Sequence, residues 1–379
     1  MAGRVWAPWG PCSRLHSGFK MRKASLGPVL CLGLLCVTGL ALLYVEAIES
    51  WAVSLVMTGV SVESRGHGGT SRVNKTYSGP PRRQAVFLMQ PSPSACSRAK
   101  PYLVNLVTTA PANQEARQAI RKSWGGETEV MGRRVMTLFL VGLTSDPGLA
   151  QQLAREFQEH RDLIQGPFSD SYANLTLKTL SLLDWAQHFC PQARFLAKVD
   201  DDVLFSPRTL LGFLHRSGVG DGDLYLGRVH LRVAPNRDSR SKHYLPSAVF
   251  ASDTFPEYCS GTAYVLSRSA ALKIAAAAAD VGLLYPLPPE DVFVGLCARA
   301  AGLSPSHSAL FSGGPNLPYS RCCYQAMVAV HHISPGQMTR LWADVRAGPP
   351  CSWLRLRASL GICKAQGLLD TILPWRGGE

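Results

Sequence analysis

From residue 101 onward, short apolar runs of strand length alternate with longer segments whose apolar residues recur at helical spacing. Few architectures accept that order, and the simplest is an α/β domain with a mostly parallel central sheet. Residues 102–108 (YLVNLVT) and 135–141 (VMTLFLV) read as strands buried in such a sheet. Residues 112–124 read as a helix with Ala116, Ala119 and Ile120 on one face, 148–160 as a second and 176–189 as a third. Residues 194–199 (RFLAKV) form a strand that runs straight into Asp200, Asp201 and Asp202. Ligands of open α/β sheets bind beyond the carboxyl ends of the strands, so the aspartates stand where a site is expected. Further on, 223–229 and 261–266 read as strands on either side of a polar excursion at 232–256. Residues 269–280 and 290–301 read as helices, the second entered through Pro286, Pro288 and Pro289 and stopped by Gly302.

The start of the chain has a different logic. Residues 26–45 (LGPVLCLGLLCVTGLALLYV) carry no charge, and as a helix twenty residues span about 30 Å, the thickness of a hydrocarbon core. Arg4, Arg14, Lys20, Arg22 and Lys23 precede the run, while Glu46 and Glu49 follow it. The positive-inside rule then makes 1–25 a cytosolic tail, 26–45 a transmembrane signal anchor and the remainder luminal. A cleaved signal peptide is the competing reading, against which stand the length of the run and the lack of a small-x-small cleavage site. Residues 46–97 are expected to form a luminal stem, with 61–100 rich in Gly, Ser, Pro and Arg and flexible, and 98–379 to form the folded body.

The net charge of +13 does not indicate nucleic acid. Residues 1–100 hold 12 Lys and Arg against Glu46, Glu49 and Glu63, whereas the remaining 279 residues balance to +4. The excess lies in the tail and stem, where anionic lipid headgroups are the fitting partner. Eight cysteines beyond the apolar run (Cys96, Cys190, Cys259, Cys297, Cys322, Cys323, Cys351, Cys363) show no C-x-x-C pair, which suits structural disulfides in an oxidising compartment. Asn74 and Asn174 open N-x-T triplets and are candidate glycosylation acceptors.

Three groups carry chemistry. Asp200, Asp201 and Asp202 repel one another at a strand end, and a hard divalent cation would relieve that repulsion. Alternation along an extended segment points Asp200 and Asp202 to one side and Asp201 to the other; a solvated acidic turn ahead of Pro207 is the alternative. Glu290 and Asp291 open a helix, where the dipole alone could account for them, or where Asp291 could serve as a general base. His331 and His332 follow the apolar run 326–330 and offer imidazole ligands.

Six stretches in the same order resemble the β-1,3-galactosyltransferase and β-1,3-N-acetylglucosaminyltransferase family: RQAIRKSWG at 117–125, FSDSYANLTLKT at 168–179, KVDDDV at 198–203, PEYCSGTAYVLS at 256–267, EDVFVG at 290–295 and HHISPGQM at 331–338. The resemblance covers residues 98–345 and implies a GT-A type, Rossmann-like nucleotide-sugar domain in a single-pass type II Golgi membrane protein. It implies Mn²⁺ held by Asp202 and His331, with Asp200 and Asp201 on the donor side and Asp291 as catalytic base. Arg117, Arg121, Asp170 and Lys178 match positions that support the nucleotide. Within the family, residues 225–237, 321–325 and 351–365 look most like the ganglioside-type galactosyltransferase. The implied reaction is inverting transfer of galactose from UDP-galactose, in β-1,3 linkage, to a terminal N-acetylhexosamine of a glycolipid or glycoprotein, GalNAc of a ganglioside first. Transfer of N-acetylglucosamine to glycoproteins and non-catalytic glycan binding are the alternatives. One departure is PLPPEDV, where the family more often has PLEDV, which lengthens the approach to Asp291.

Overall fold

The computed structural model describes residues 26–65, 86–220, 222–282 and 286–372. Residues 1–25, expected as a cytosolic tail, Asn74 and the middle of the expected stem lie outside the described residues. Two compact units divide the chain, one ending at Leu40 and one running from Ala41 onward.

In chain order the helices before the first strand are α1 (Leu26–Leu43), α2 (Val45–Arg65) and α3 (Ala95–Ala99). Then come β1 (Leu103–Thr108), α4 (Gln114–Arg121), β2 (Glu129–Val130), β3 (Arg133–Leu143), α5 (Pro147–His160), β4 (Leu163–Ser169) and α6 (Leu175–Phe189). The site-bearing half follows with β5 (Phe195–Asp200), β6 (Leu204–Phe205), α7 (Pro207–Arg216), β7 (Tyr225–His230), β8 (Tyr258–Ser267), α8 (Arg268–Val281) and α9 (Glu290–Ala300). The chain continues through β9 (Ser306–His307), α10 (Arg321–Ala326), β10 (Ala329–Val330), α11 (Pro335–Arg346) and α12 (Trp353–Ile372).

The main sheet has the order β2-β3-β1-β5-β8-β7-β9, with β4 also on β3. Pairs β3·β4, β1·β3, β1·β5 and β7·β9 are parallel. The expected α/β fold with a largely parallel sheet is therefore present, but β8 enters between β5 and β7 antiparallel to both, and the edge strand β2 is antiparallel to β3. Side-chain alternation splits the core between two faces. Leu103, Val107, Phe195, Ala197 and Val199 join the cluster with α4, α7 and α11, and Val104, Leu106 and Leu196 join the one with α6, α8 and α9.

Several helix ends follow from local chemistry. Asp146 accepts from the Gly148 and Leu149 amides with Pro147 in the first turn of α5, and Ser334 makes a capping box with Gln337 at α11. The helix anticipated over 112–124 is shorter, because it ends at Arg121 and the chain continues into a 3-10 turn at Trp124–Gly126. The excursion at 232–256 is ordered: Arg237 donates to the carbonyls of Leu245, Phe250 and Ser252, and Leu245 and Phe255 pack with Tyr258 and with Val292 of α9.

Among the described residues no single helix is long and apolar enough to cross a membrane; Gly33–Leu43 and Val45–Met57 pass only together, as a bent pair. The anchor therefore remains an expectation. The stem also begins differently from a coil, since α2 docks on the body. Glu49 pairs with Lys364 at 2.5 Å and Arg228 at 3.0 Å, and Glu46 pairs with Arg357 at 2.5 Å. Residues 86–99 are tied to the body by a Met89–Gln165 bridge and by the Cys96–Cys190 disulfide. Cys322–Cys351 and Cys323–Cys363 fasten α10 to the C-terminal segment, while Cys259 and Cys297 are buried free thiols.

Burial works to raise the Glu49 carboxyl, but His307, Lys364 and Arg228 overcome it and bring it down from 4.5 to about 2. A depressed carboxylate stabilises the fold above its unfolded value and loses that contribution as pH falls through its folded value. The melting temperature of the wild type should therefore fall more steeply between pH 4.5 and 2 than that of Glu49→Gln, which should be the less stable protein at pH 7. Parallel melting curves for the two proteins across that window would exclude this latch.

Candidate active site

The parallel register of β1 and β5 sets Thr108 opposite Asp200, so the two strands finish together. Their carboxyl ends then exchange side-chain bonds. Thr108 Oγ1 donates to Asp200 Oδ1 at 2.6 Å, and Thr109 Oγ1 and Asn113 Nδ2 donate to Asp201 Oδ2 at 2.6 and 2.8 Å. Burial, helped by Asp200 and Asp202, raises the Asp201 carboxyl in spite of those donors. Asp201 thus braces the loop after β1.

Asp202 is oriented from the other side. The short antiparallel pair β6·β10 aligns Leu204 with Val330, and therefore brings the residues before β6 alongside those after β10. Asp202 Oδ2 lies 3.1 Å from His331 Nε2. Asp202, His331 and His332 each offer a donor atom within 4.8 Å of the others, the one such group found among the described residues. His332 has φ +65, an unusual conformation for a non-glycine residue, and its ring stacks on His331 with centroids 3.7 Å apart. The Ile333 amide donates to the Asp202 carbonyl at 2.8 Å and the His331 amide to Ser312 Oγ at 2.8 Å, which fixes this turn. Burial would raise the Asp202 carboxyl, but the hydrogen bond and charge of His331, with help from His332, lower it. One carboxylate and two imidazoles form a donor set that suits a divalent first-row transition ion. A cavity of about 670 Å³ beside them is lined by Asn113, Gln114, Asp201, Asp202, His332 and Ser334.

The second acidic group sits across the β5–β8 pair. Asp291 is half-buried at the start of α9, where its Oδ2 accepts from the Gly261 amide at 3.0 Å and its Oδ1 from the Val292 amide at 2.9 Å. The proline-rich approach that raised a question about Asp291 ends against α6, with Thr176 Oγ1 donating to the Pro288 carbonyl at 3.1 Å. Glu290 is buried and accepts from Tyr264 Oη at 2.7 Å. Burial raises its carboxyl, as does Asp291, while Lys198 opposes them.

Lys198 joins the two acidic groups, and the sequence reading gave it no role. Its Nζ donates to Asp200 Oδ1 at 2.7 Å and to the Gly261 carbonyl, and lies 3.4 Å from Glu290 Oε2. The available signal was a lysine inside a strand that is otherwise apolar, since a buried ammonium requires partners.

The remaining four residues are drawn inward. Arg117 is 1% exposed; it pairs with Glu156 and donates to the carbonyls of Ala110 and Pro111. Arg121 pairs with Glu156 and Asp162. Lys178 pairs with Asp170 at 2.9 Å and donates to the Thr109 carbonyl at 2.8 Å, and Asp170 accepts from the Gly142 amide. Arg117 and Lys178 hold the loop that carries Thr109 and Asn113 and are braced by Glu156 and Asp170, while Arg121 ties the end of α4 to Glu156 and Asp162. Glu156 was missed, although it lies on the same buried face of α5 as Leu153. Asn174, the second glycosylation candidate, is half-buried and donates to the Ser169 carbonyl at 2.8 Å. Truncation to Glu156→Ala leaves Arg117 buried without its carboxylate, so stability should fall by about 3–5 kcal/mol. Thermal denaturation checks this, and an unchanged melting temperature would contradict it.

Comparison with known proteins gives a consistent result. A family model described as Galactosyltransferase matches residues 115–309, a stretch containing Asp200–Asp202 and Asp291 but ending before His331. A Mus musculus protein named beta-1,3-galactosyltransferase 4 is 40% identical over 316 residues, covering 73% of this chain and 83% of its own. A Homo sapiens protein named beta-1,3-galactosyltransferase 9 is 33% identical over 283 residues, covering 75% of this chain and 76% of its own. Among solved structures, one titled "Crystal structure of S. aureus TarS 1-349" aligns with TM-score 0.33 and 11% identity over 73% of this chain and 75% of that one, a likeness too slight to argue from.

Proposed function

The chain belongs to the galactosyltransferase family, and from that premise we propose that it transfers galactose from UDP-galactose, with inversion and in β-1,3 linkage, to a terminal N-acetylhexosamine. The observation that carries this reading is the pairing of Asp202 with His331 at one strand end and the mounting of Asp291 across the sheet from it, with Lys198 between the two acidic groups.

Asp291 is held by two backbone amides at a helix start, so its carboxylate is fixed in direction and keeps oxygen lone pairs for a proton. It would take the acceptor hydroxyl's proton as that oxygen attacks the anomeric carbon. Asp202 and His331, with His332 adjacent, would hold Mn²⁺, which when bound supplies charge to offset a leaving diphosphate. Asp200, held by Thr108 and Lys198, would face the ribose and donor sugar. Attack from the face opposite the leaving group gives inversion in one displacement. A hydrolytic glycosidase would instead need two carboxyl groups astride one bond.

GalNAc at the end of a glycolipid is the acceptor we favour, supported by the ganglioside-type stretches at 225–237, 321–325 and 351–365. Residues 26–45 would anchor the protein in the Golgi membrane as a type II protein with residues 46–379 luminal. A donor screen of the full chain in detergent with Mn²⁺, reading transfer and UDP release, tests the proposal. It predicts UDP-galactose as the donor used and a GalNAc-terminated glycolipid as the acceptor. Preference for UDP-N-acetylglucosamine, or glycan binding with no turnover of any UDP-sugar, would overturn it.

A further inference from the structure

We infer that Lys198 is a positioning residue which sets the base and the donor-side carboxylate relative to each other, through contacts with Asp200, Gly261 and Glu290. The inference rests on the reading of Asp291 as the base and of Asp200 as a donor contact.

The geometry is a buried crossing point between two strands and a helix. Lys198 and Glu290 are each 7% exposed. In the antiparallel register of β5 and β8, Lys198 lies opposite Tyr264, whose hydroxyl donates to Glu290 Oε1 at 2.7 Å. The ammonium has three hydrogens and three oxygen neighbours, Asp200 Oδ1, the Gly261 carbonyl and Glu290 Oε2, so its capacity is used within the protein. Gly261 is gripped from both ends: its carbonyl accepts from Lys198, and its amide donates to Asp291 Oδ2 at 3.0 Å. Moving Lys198 therefore moves the amide that aims the base, while releasing Asp200 on the other side. A Cβ on Gly261 would stand 3.1 Å from Glu290 Oε2, 3.3 Å from Asp291 Cβ and 3.4 Å from Asp291 Oδ2, so the backbone and the acid pair are packed without slack.

Charge argues the same way. Asp200, Glu290 and Asp291 surround this crossing, and Lys198 is the cation in contact with the first two. Burial works against its ammonium, yet Asp200 and Glu290 hold it above the ordinary lysine range. A neutral side chain of similar length would neither balance these carboxylates nor bond the Gly261 carbonyl. Arginine would bring a planar fork in place of a tetrahedral ammonium and could not reproduce three divergent bonds.

The test uses the full chain in detergent, with four variants compared by steady-state kinetics and melting temperature. Lys198→Met should lower kcat by about 10²-fold, the scale of a misplaced catalytic group, with the KM for UDP-galactose within a few-fold of wild type. The double change Lys198→Met with Glu290→Gln removes both charges and should recover melting temperature without recovering kcat. Gly261→Ala presses on Glu290 Oε2 and on Asp291 while keeping the Lys198 ammonium, and should lower kcat at unchanged donor KM even if Lys198→Met proves too unstable to purify. Recovery of kcat in the double variant would show that Lys198 only neutralises Glu290, and would overturn the inference; so would wild-type kcat in Lys198→Met or in Gly261→Ala. Asp291→Asn, run alongside, separates the two levels of the account. If it keeps its rate, the base reading fails and the inference with it; if it loses its rate while Lys198→Met does not, the inference alone fails.

Discussion

Asp291→Asn is expected to lower kcat for galactosyl transfer by about 10³-fold, within the range that general base catalysis contributes. The substitution is nearly isosteric. The side-chain oxygen of asparagine can still accept from the Gly261 or the Val292 amide, which bond Asp291 at 3.0 and 2.9 Å, so the start of α9 should keep its place. What is lost is the second oxygen and with it the capacity to receive a proton from the acceptor hydroxyl. Under the proposed function donor binding would depend on groups at the end of β5, so KM for UDP-galactose should change little and the loss should appear in kcat. Stability should also change little, because Glu290, Tyr264 and Lys198 keep their own contacts. A variant retaining more than a tenth of wild-type kcat would remove Asp291 from the chemistry and return it to the role of a helix-terminal carboxylate.

The second large effect concerns Asp202 and His331. Asp202→Asn and His331→Ala should each lower kcat by about 10²–10³-fold, the scale of removing one electrostatic contributor to a developing charge. Each should also weaken Mn²⁺ binding measured directly by calorimetry or electron paramagnetic resonance. The basis is the Asp202–His331 contact at 3.1 Å and the closeness of a third donor on His332. His332→Ala should have the smaller effect, since His331 is the imidazole in contact with the Asp202 carboxylate and His332 meets the pair through its ring on His331. Chelation of the wild type should abolish transfer, and added Mn²⁺ should restore it. Full Mn²⁺-dependent activity in Asp202→Asn would show that the cation is held elsewhere.

Much of this layout could be read from residue patterns. The apolar run 194–199 ends in aspartates, and β5 does end at Asp200, with Asp201 and Asp202 just beyond the strand. The proline-led entry to 290–301 marked α9 to within one residue. What escaped was long-range pairing. β4 (LIQGPFS) contains Gly166 and Pro167, which break strand character locally, and its identity as a strand comes from its parallel partner β3. The strands β6 and β10 have two residues each, too short for any period, yet their pairing is what brings His331 to Asp202. Arg117 and Lys178 were carried to the nucleotide side by the family resemblance; what no local pattern showed is that they also pair with Glu156 and Asp170, 39 and 8 residues away. For Lys198 the apolar strand around it signalled a need for partners, but not which ones, since Gly261 and Glu290 come from other elements.

The central claim is a single displacement on UDP-galactose, and the anomeric configuration of the product tests it most directly. Full-length protein in detergent would be given UDP-galactose, Mn²⁺ and a GalNAc-terminated glycolipid, and the product analysed by proton NMR. The account predicts a galactose in β configuration joined to position 3 of the GalNAc, from an α-linked donor. An α-linked product, which requires retention and hence a different arrangement of groups around the anomeric carbon, would contradict it.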